Sequence, residues 1–292
     1  SHVVVQQDTD VGAGTVIHPF AVIGGDPQHN GYKGEPVRLE IGENNLIREH
    51  CTFNRGTPQG AGVTVVGSNG LFMTGAHIGH DCVVGDNVVM ANNATLGGHA
   101  HVGDKVFLGG LCAVHQNGRV GQGAIIGGLA AVTRDVIPYG SAWGNHARLR
   151  GLNLIGLKRK GYGKDQVRRL LAAYRDLFEG EGEFAGRIDS VAGRYADLPE
   201  IMEIIAFIRD GGRRHGAPRL PPVAGWRLRL DVTAILTAHH LELLDLLERH
   251  LDAEVAAGDH DRVEGQHDGL QIVDRLRLLQ LRDDGHPAPH PV

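Results

Sequence analysis

Residues 66–137 read VGSNGLFMTGAHIGHDCVVGDNVVMANNATLGGHAHVGDKVFLGGLCAVHQNGRVGQGAIIGGLAAVTRDVI and repeat a six-residue pattern from end to end. Every sixth residue is apolar, and these anchors are Val66, Phe72, Ile78, Val84, Met90, Leu96, Val102, Leu108, Val114, Val120, Ile126 and Val132. A helix would repeat at about 3.6 residues and a half-buried strand at about 2, so neither explains a period of six. A hexapeptide repeat is the signature of a parallel β-helix, and we predict an all-β, left-handed parallel β-helix.

A second position of each hexad, four residues after the anchor, holds only small or β-branched residues, such as Ala76, Cys82 and Val88. The residue directly after the anchor is Gly in eight of the twelve hexads, where it allows a turn that a side chain would resist. Three hexads close one triangular coil. Residues eighteen apart therefore stack on one face, about 4.8 Å from one another.

Composition narrows the protein class. The chain has 292 residues, enough for two domains, and its 43 Gly with few aromatic residues suit a prism filled by small aliphatic side chains. A net charge of -5 gives no reason to expect a nucleic-acid partner. The sequence has no signal peptide and no run of eighteen apolar residues, so we expect a soluble, cytoplasmic protein without an integral membrane span.

The three cysteines occupy the small position of their hexads. Cys51, Cys82 and Cys112 therefore read as small buried thiols in a reducing compartment, which we favour over disulfides or metal ligands.

The repeat divides the chain into three parts. We assign residues 1–140 to the β-helix, with a projecting loop at 24–38 where the six-residue pattern breaks, and residues 141–212 to a small helical domain with helices over 164–179, 186–195 and 199–209. Residues 213–292 lack Lys and are rich in His, Arg and Leu, so we expect a tail that is disordered or not native. The pattern is already running near Ser1, from which we expect that the natural protein has further coils before it.

Histidines gather on one wall when the eighteen-residue spacing is applied. His80 stacks below Gly98 and then Gln116, and Asp81 stacks below His99. His77 and His115 lie within a few residues of the same group, which we expect to span about 10 Å.

This cluster has a catalytic interpretation. A His with an ordinary pKa of about 6.5 is the natural general base at neutral pH, and Asp81 could orient His80. The backbone N–H of Gly98 could approach a developing oxyanion. Since the cysteines point inward, no nucleophilic pair is present, and the arrangement favours direct attack of a substrate hydroxyl or amine on an acyl donor.

Two other readings of the cluster stay open. The histidines could be corner residues with satisfied hydrogen bonds, or they could bind zinc. The γ-class carbonic anhydrases, also trimeric β-helices, hold zinc through three His, two of them five residues apart. The residue five after His115 is Val120, so that triad fails here and we predict no metal.

Specific motifs then resemble one family. Residues 76–82, AHIGHDC, resemble the AHIxHDC segment of the bacterial UDP-N-acetylglucosamine O-acyltransferases, the first enzymes of lipid A synthesis. Four further stretches agree in order and spacing, and they are GEP at 34–36, ANNATL at 91–96, AVHQ at 113–116, and GNH at 144–146 through Asn153 to GLKR at 156–159. The resemblance covers roughly residues 1–210.

The resemblance implies a homotrimer with active sites between adjacent prisms. His80 would take the proton from the 3-hydroxyl of the UDP-amino-sugar, whose oxygen attacks the thioester of a 3-hydroxyacyl chain on acyl carrier protein. Asp81 would support His80, and the Gly98 N–H would hold the thioester oxygen. No cofactor is implied beyond the phosphopantetheine thioester of the donor.

The resemblance also implies a set of substrate-binding residues, which are Gln28, His29, His77, His99, His115, Gln116, Gly128, Asn153, Arg159 and Lys160. Within this set, Asn153, Arg159 and Lys160 would hold the UDP moiety or the pantetheine arm. Arg and Lys suit phosphate on charge grounds. Gly128 falls at the family's acyl-length ruler, where Gly favours a long chain.

The chain departs from the family pattern at a few positions. His29 stands where relatives usually carry Asp, and Ile155 stands where an acidic residue is common. These departures leave open an N-acyltransferase acting on a 3-amino sugar nucleotide. A non-catalytic or zinc-binding hexapeptide protein is the alternative from another class.

Overall fold

The structure, a computed structural model, describes residues 2–215, with side chains as far as 211. The chain winds into a parallel β-helix built of short strands. The strands are β1 (Val4–Val5), β2 (Thr9–Val11), β3 (Val16–Ile17), β4 (Val22–Gly25), β5 (Arg38–Ile41), β6 (Leu46–Ile47), β7 (Thr52–Asn54), β8 (Val63–Val66), β9 (Leu71–Phe72), β10 (His77–Ile78), β11 (Val83–Val84), β12 (Val89–Met90), β13 (Thr95–Leu96), β14 (His101–Val102), β15 (Phe107–Leu108), β16 (Ala113–Val114), β17 (Arg119–Val120), β18 (Ile125–Ile126), β19 (Ala131–Val132), β20 (Gly140–Trp143) and β21 (Arg148–Leu152).

Three sheets form the walls of the prism. The first, sheet A, runs β1-β4-β7-β10-β13-β16-β19; sheet B runs β2-β5-β8-β11-β14-β17; and sheet C runs β3-β6-β9-β12-β15-β18-β20-β21. In the regular part the partners are eighteen residues apart, as in Ile78↔Leu96 and Leu96↔Val114. The predicted eighteen-residue stacking is thereby confirmed.

The residues at two positions of each hexad point inward and fill the interior of the prism. All twelve anchors are buried, and so are the residues four positions after them. The fourth residue of the hexad turns the corner with positive φ, at 58° in Asp81, 59° in His99 and 62° in Asn117. Asn, Asp and His tolerate this left-handed conformation better than most residues with a Cβ, which explains their frequency at the corners.

Two coils are longer than the rest. Val22 pairs with Thr52, thirty residues later instead of eighteen, because the chain between β4 and β5 leaves the prism as the predicted insertion. Thr52 pairs with His77, twenty-five residues later, because residues 55–62 form a second excursion between β7 and β8. Both excursions leave the prism after a strand of sheet A and rejoin it at a strand of sheet B, so both project from the corner between these sheets.

The predicted end of the β-structure at residue 140 is too early. β20 still pairs in parallel with β18, and β21 returns antiparallel to β20. A two-stranded return has no six-residue period, so the hexad count could not detect it.

Helices follow the last strand. They are α1 (Leu154–Arg159), α2 (Lys164–Phe178), α3 (Phe184–Arg194) and α4 (Pro199–His215). The three predicted helices are confirmed within a few residues, except that α4 runs six residues further. The helix α1 was not expected. The predicted tail lies, from residue 216 onward, outside the described residues.

The helices pack on one another and on the end of the prism. Their apolar faces, with Leu170, Leu177 and Ile201, form a core separate from that of the β-helix. Arg119 of β17 joins the two parts, since its guanidinium pairs with Asp135 at 2.7 Å and with Asp210 of α4 at 2.8 Å.

Candidate active site

The site lies on the corner that follows the strands of sheet A. The chain leaves β10 at Ile78 and turns through His80 and Asp81, which are 7% and 4% exposed. The left-handed backbone of Asp81 brings its carboxylate back beside the preceding residue, and its Oδ2 lies 2.9 Å from Nδ1 of His80. The pair predicted from the sequence is therefore in contact.

Thr57 fixes the carboxylate of Asp81. The Thr57 N–H donates to both carboxylate oxygens at 3.0 Å, and the Thr57 hydroxyl lies 2.6 Å from Oδ2. Burial alone would raise the pKa of Asp81, but the hydrogen bonds from Thr57 and His80, together with nearby His99, outweigh it and hold the pKa below its usual value. Because an anionic carboxylate only accepts, Nδ1 of His80 carries the proton and Nε2 is left to accept one.

The next coil leaves room for the imidazole. A Cβ at Gly98 would lie 2.5 Å from Cε1 and 2.6 Å from Nε2 of His80, so only Gly lets the ring lie there. The Gly98 N–H donates to no acceptor in the described part of the chain. A polarised carbonyl oxygen could accept from it.

Two further imidazoles border His80. The His99 ring stands at 90° to that of His80 with centroids 5.0 Å apart, and its Nε2 lies 3.9 Å from Oδ2 of Asp81. His29 reaches in from the insertion, with its ring centroid 5.6 Å from that of His80 at 72°. Gln28, its neighbour, is exposed.

The remaining predicted residues of this wall lie beside the cluster. Nδ1 of His77 is 2.7 Å from the Thr52 hydroxyl, and burial lowers the pKa of His77 despite a hydrogen bond with Thr52 that opposes the shift. His115 and Gln116 are exposed one coil above Gly98, where Nδ1 of His115 lies 3.0 Å from the Gln116 carbonyl oxygen.

Four predicted residues lie at other corners of the same chain. The Asn153 side chain accepts from Gly156 N–H at 2.9 Å, capping α1, and donates to the Gly123 carbonyl, which follows a strand of sheet B. Lys160 lies 4.8 Å from the centre of the Tyr139 ring, and burial lowers its pKa.

Arg159 is exposed at the end of α1, and Gly128 follows a strand of sheet C. The fold of one chain does not bring these four residues, Asn153, Arg159, Lys160 and Gly128, to His80.

Sequence reasoning missed Thr57. It belongs to the excursion at 55–62, where the eighteen-residue spacing does not apply. No pattern in the sequence links it to Asp81, 24 positions later.

A metal ion would find donors here. Ligand atoms of His80, Asp81 and His99 lie within 4.8 Å of one another. The bond between His80 Nδ1 and Asp81 leaves Nε2 for such an ion as well as for a proton.

A hexapeptide-repeat prism that presents a His–Asp pair beside a free backbone amide has the parts that acyl transfer requires. Comparison with known proteins points the same way. A family profile described as UDP N-acetylglucosamine O-acyltransferase, domain 2, matches residues 135–216.

Curated relatives match over most of the chain. An acyl-(acyl-carrier-protein)–UDP-N-acetylglucosamine O-acyltransferase of Caulobacter vibrioides is 57% identical over 214 residues, 73% of this chain and 81% of the relative. The enzyme of the same name from Azorhizobium caulinodans is 58% identical and is covered to 79%. The chain belongs to the UDP-N-acetylglucosamine O-acyltransferase family.

Solved structures agree with the fold. The crystal structure of the Moraxella catarrhalis UDP-N-acetylglucosamine O-acyltransferase superposes with a TM-score of 0.70 at 41% identity, covering 72% of this chain and 82% of that one. The predicted class, a left-handed parallel β-helix followed by helices, is confirmed.

None of the helices in the described part of the chain has the length and apolar character needed to cross a bilayer.

Proposed function

We propose that His80 is the general base of this enzyme. The enzyme is an acyl-carrier-protein-dependent UDP-N-acetylglucosamine O-acyltransferase of the first step of lipid A synthesis. In the proposed reaction a 3-hydroxyacyl chain passes from acyl carrier protein to the glucosamine 3-position of UDP-N-acetylglucosamine. The observation that carries the mechanism is the contact of His80 Nδ1 with a carboxylate that Thr57 holds anionic. Family membership supports the substrates, since the relatives are named for them.

In the proposed reaction, a single imidazole takes up one proton and later releases it. Nε2 of His80 takes the proton of the 3-hydroxyl as that oxygen attacks the thioester carbon. The negative charge passes to the former carbonyl oxygen, which accepts from the Gly98 N–H. When the intermediate collapses, the C–S bond breaks and the imidazolium returns its proton to the departing thiolate, leaving an ester and a free carrier thiol. Asp81 stabilises the imidazolium between these two steps.

A homotrimer would complete the site. His80 stands on the corner after sheet A, whereas Asn153 caps α1 beside Gly123, on the corner after sheet B. A site between adjacent prisms, as the family resemblance implies, would place Asn153, Arg159 and Lys160 of one subunit opposite His80 of the next. Those three residues would then contact the UDP moiety or the pantetheine arm.

The acyl chain would run toward Gly128. A Cβ there would meet only the Gly110 backbone, with the carbonyl oxygen at 3.2 Å, and a longer side chain would occupy the surface along which the acyl chain is proposed to lie. Gly128 is exposed, and the lack of a side chain there supports a long acyl chain. The acceptor is proposed to be a hydroxyl, and a 3-amino sugar nucleotide tests the alternative in the same assay.

The decisive experiment replaces the base. His80→Ala should lower the rate of acyl transfer about a thousandfold, within the range that general bases contribute. The trimer and its melting temperature should be unchanged. His50→Ala, an imidazole on the corner after sheet C that stacks on Phe20, serves as the control and should keep full activity. An active His80→Ala enzyme refutes the mechanism.

Metal binding is the alternative role for this cluster, because ligand atoms of His80, Asp81 and His99 lie within 4.8 Å of one another. Metal analysis of the purified trimer separates the two. The acyltransferase proposal predicts activity that survives exhaustive chelation. Loss on chelation and recovery with Zn²⁺ would favour metal binding.

A further inference from the structure

Residues 54–57 join the insertion to the His–Asp pair, and we call them the bridge. The Arg55 N–H donates to the Gly25 carbonyl at 3.0 Å, and the Gly56 N–H donates to the Arg38 carbonyl at 3.1 Å. Gly25 and Arg38 are the residues at which the insertion leaves and rejoins the prism. Thr57, the last residue of the bridge, holds the carboxylate of Asp81.

Arg55 adds a buried charge to this bridge. It is 2% exposed, yet its guanidinium pairs with Asp26, the first residue of the insertion, and with Asp8 at 3.4 Å. The Asn54 side chain also donates to the Asp26 carbonyl at 2.9 Å. Asp26 is thus held through its side chain and its backbone. Desolvating a guanidinium is costly, and the pairs with Asp26 and Asp8 compensate part of that cost only while the start of the insertion stays in place.

Three residues after Asp26, the insertion reaches the catalytic pair. Pro27 is buried against the prism, Gln28 and His29 are exposed, and the His29 ring contacts His80. The N–H of Gly31 donates to Nδ1 of His29 at 3.2 Å, which keeps the tip of the insertion turned toward the base.

We propose that Arg55 is a positioning residue for binding of the sugar nucleotide. Its ion pair with Asp26 fixes the first residue of the insertion and thereby places Gln28 and His29 next to His80. The inference rests on the proposed function, in which the insertion faces the sugar nucleotide. It assigns a task to a residue that touches neither His80 nor Asp81.

Neutral substitution at Arg55 should leave the fold intact. Both aspartates keep about half or more of their side-chain surface in solvent, so removing the guanidinium strands no buried charge. Met has a similar length and fills the space, and replacing a buried ion pair by an apolar side chain is often neutral for stability. The effect should fall on the insertion.

The test compares two arginines at the insertion. Arg55→Met should raise the KM for UDP-N-acetylglucosamine about tenfold, or about 1.4 kcal/mol, while the KM for the acyl donor stays within twofold. Arg38→Met is the matched control, because Arg38 makes an exposed pair with Glu40 at 2.6 Å. It should leave both constants unchanged.

Further variants separate positioning from a general structural role. Asp26→Ala should show the same selective rise in KM, and the Arg55→Met/Asp26→Ala double variant should be no worse than either single change. Arg55→Lys should recover part of the loss. Hydrogen exchange of residues 28–33 should be faster in Arg55→Met than in Arg38→Met, at equal melting temperature.

Equal KM values in Arg55→Met and Arg38→Met would overturn the inference and leave the proposed function standing. Full activity of His80→Ala would instead overturn the proposed role of His80 as the general base. If Arg55→Met does not fold, Asp26→Ala decides alone, since its side chain is two-thirds exposed.

Discussion

The corners after sheet A and after sheet B share one backbone path and differ in chemistry. On the sheet B corner, the carboxylate of Asp86 accepts from the Ser68 N–H at 2.7 Å, and that of Asp104 accepts from the Asp86 N–H at 2.8 Å. Each outward amide is thereby satisfied by the next coil. On the sheet A corner, Gly98 carries no side chain that could accept from the His80 N–H, and its own N–H has no acceptor among residues 2–215.

This difference shows how a regular repeat acquires a site. The anchors and small residues are alike at both corners, and the fourth residue turns the chain with positive φ at both. The side chain of the third residue points outward and is the one that differs most between the two corners. Structural hydrogen bonds occupy those positions on the sheet B corner. On the sheet A corner the same positions hold imidazoles, a carboxylate and an unpaired donor.

We expect the largest difference in transfer rate between substitutions of two aspartates, one on each corner. Asp81→Asn should lower transfer about a hundredfold or more, because an amide NH₂ facing Nδ1 of His80 places the ring proton on Nε2, which then cannot accept one. Asp86→Asn should leave the rate unchanged, since its oxygen still accepts from the Ser68 N–H. Steady-state rates at saturating substrates measure both. Equal losses would mean that Asp81 is only a corner residue.

We expect the next largest difference in activity between substitutions of two glycines at the same hexad position. Gly98→Ala should lower the rate at least tenfold, since its Cβ would lie 2.5 Å from the His80 ring and must displace it. Gly110→Ala, at the same hexad position on the corner after sheet C, meets its nearest atom at 3.4 Å. It should retain activity within about twofold, which corresponds to the change of about 0.5 kcal/mol that ordinary surface substitutions cause. A fully active Gly98→Ala would place the His80 ring elsewhere during catalysis.

The smallest effect concerns pH and His77. Burial lowers the pKa of His77, so the unfolded chain binds a proton more readily than the folded one. Stability from this residue is present above the unfolded pKa of about 6.5 and is lost as pH falls below it. The melting temperature of the wild type should therefore fall more between pH 7.5 and 5.5 than that of His77→Gln. Parallel melting curves for the two proteins would contradict this.

Much of the fold could be predicted from the sequence because the hexad has an invariant geometry. A residue such as Ile78 must face inward, and its partner must be Leu96, eighteen positions on. The same geometry placed Gly98 and His99 over His80 and Asp81. The pair β20 and β21 could not be predicted, because an antiparallel return has no period of six.

The site was predictable only as far as the repeat extends. Thr57 and Arg55 lie in an excursion whose path depends on tertiary contacts with Asp81 and Asp26. The contact of His29 with His80 likewise depends on how the insertion folds back. The location of Asn153 and Lys160 at another corner could not be predicted either, because it follows from the packing of α1 beside Gly123 and Tyr139.

The alternation of inward and outward positions has an evolutionary consequence. A mutation at the third residue of a hexad changes the functional group that a corner presents to solvent and removes no apolar contact from the interior. New chemistry can therefore arise on this scaffold by single steps that each preserve folding, which in a conventional globular pocket would require compensating changes in the core.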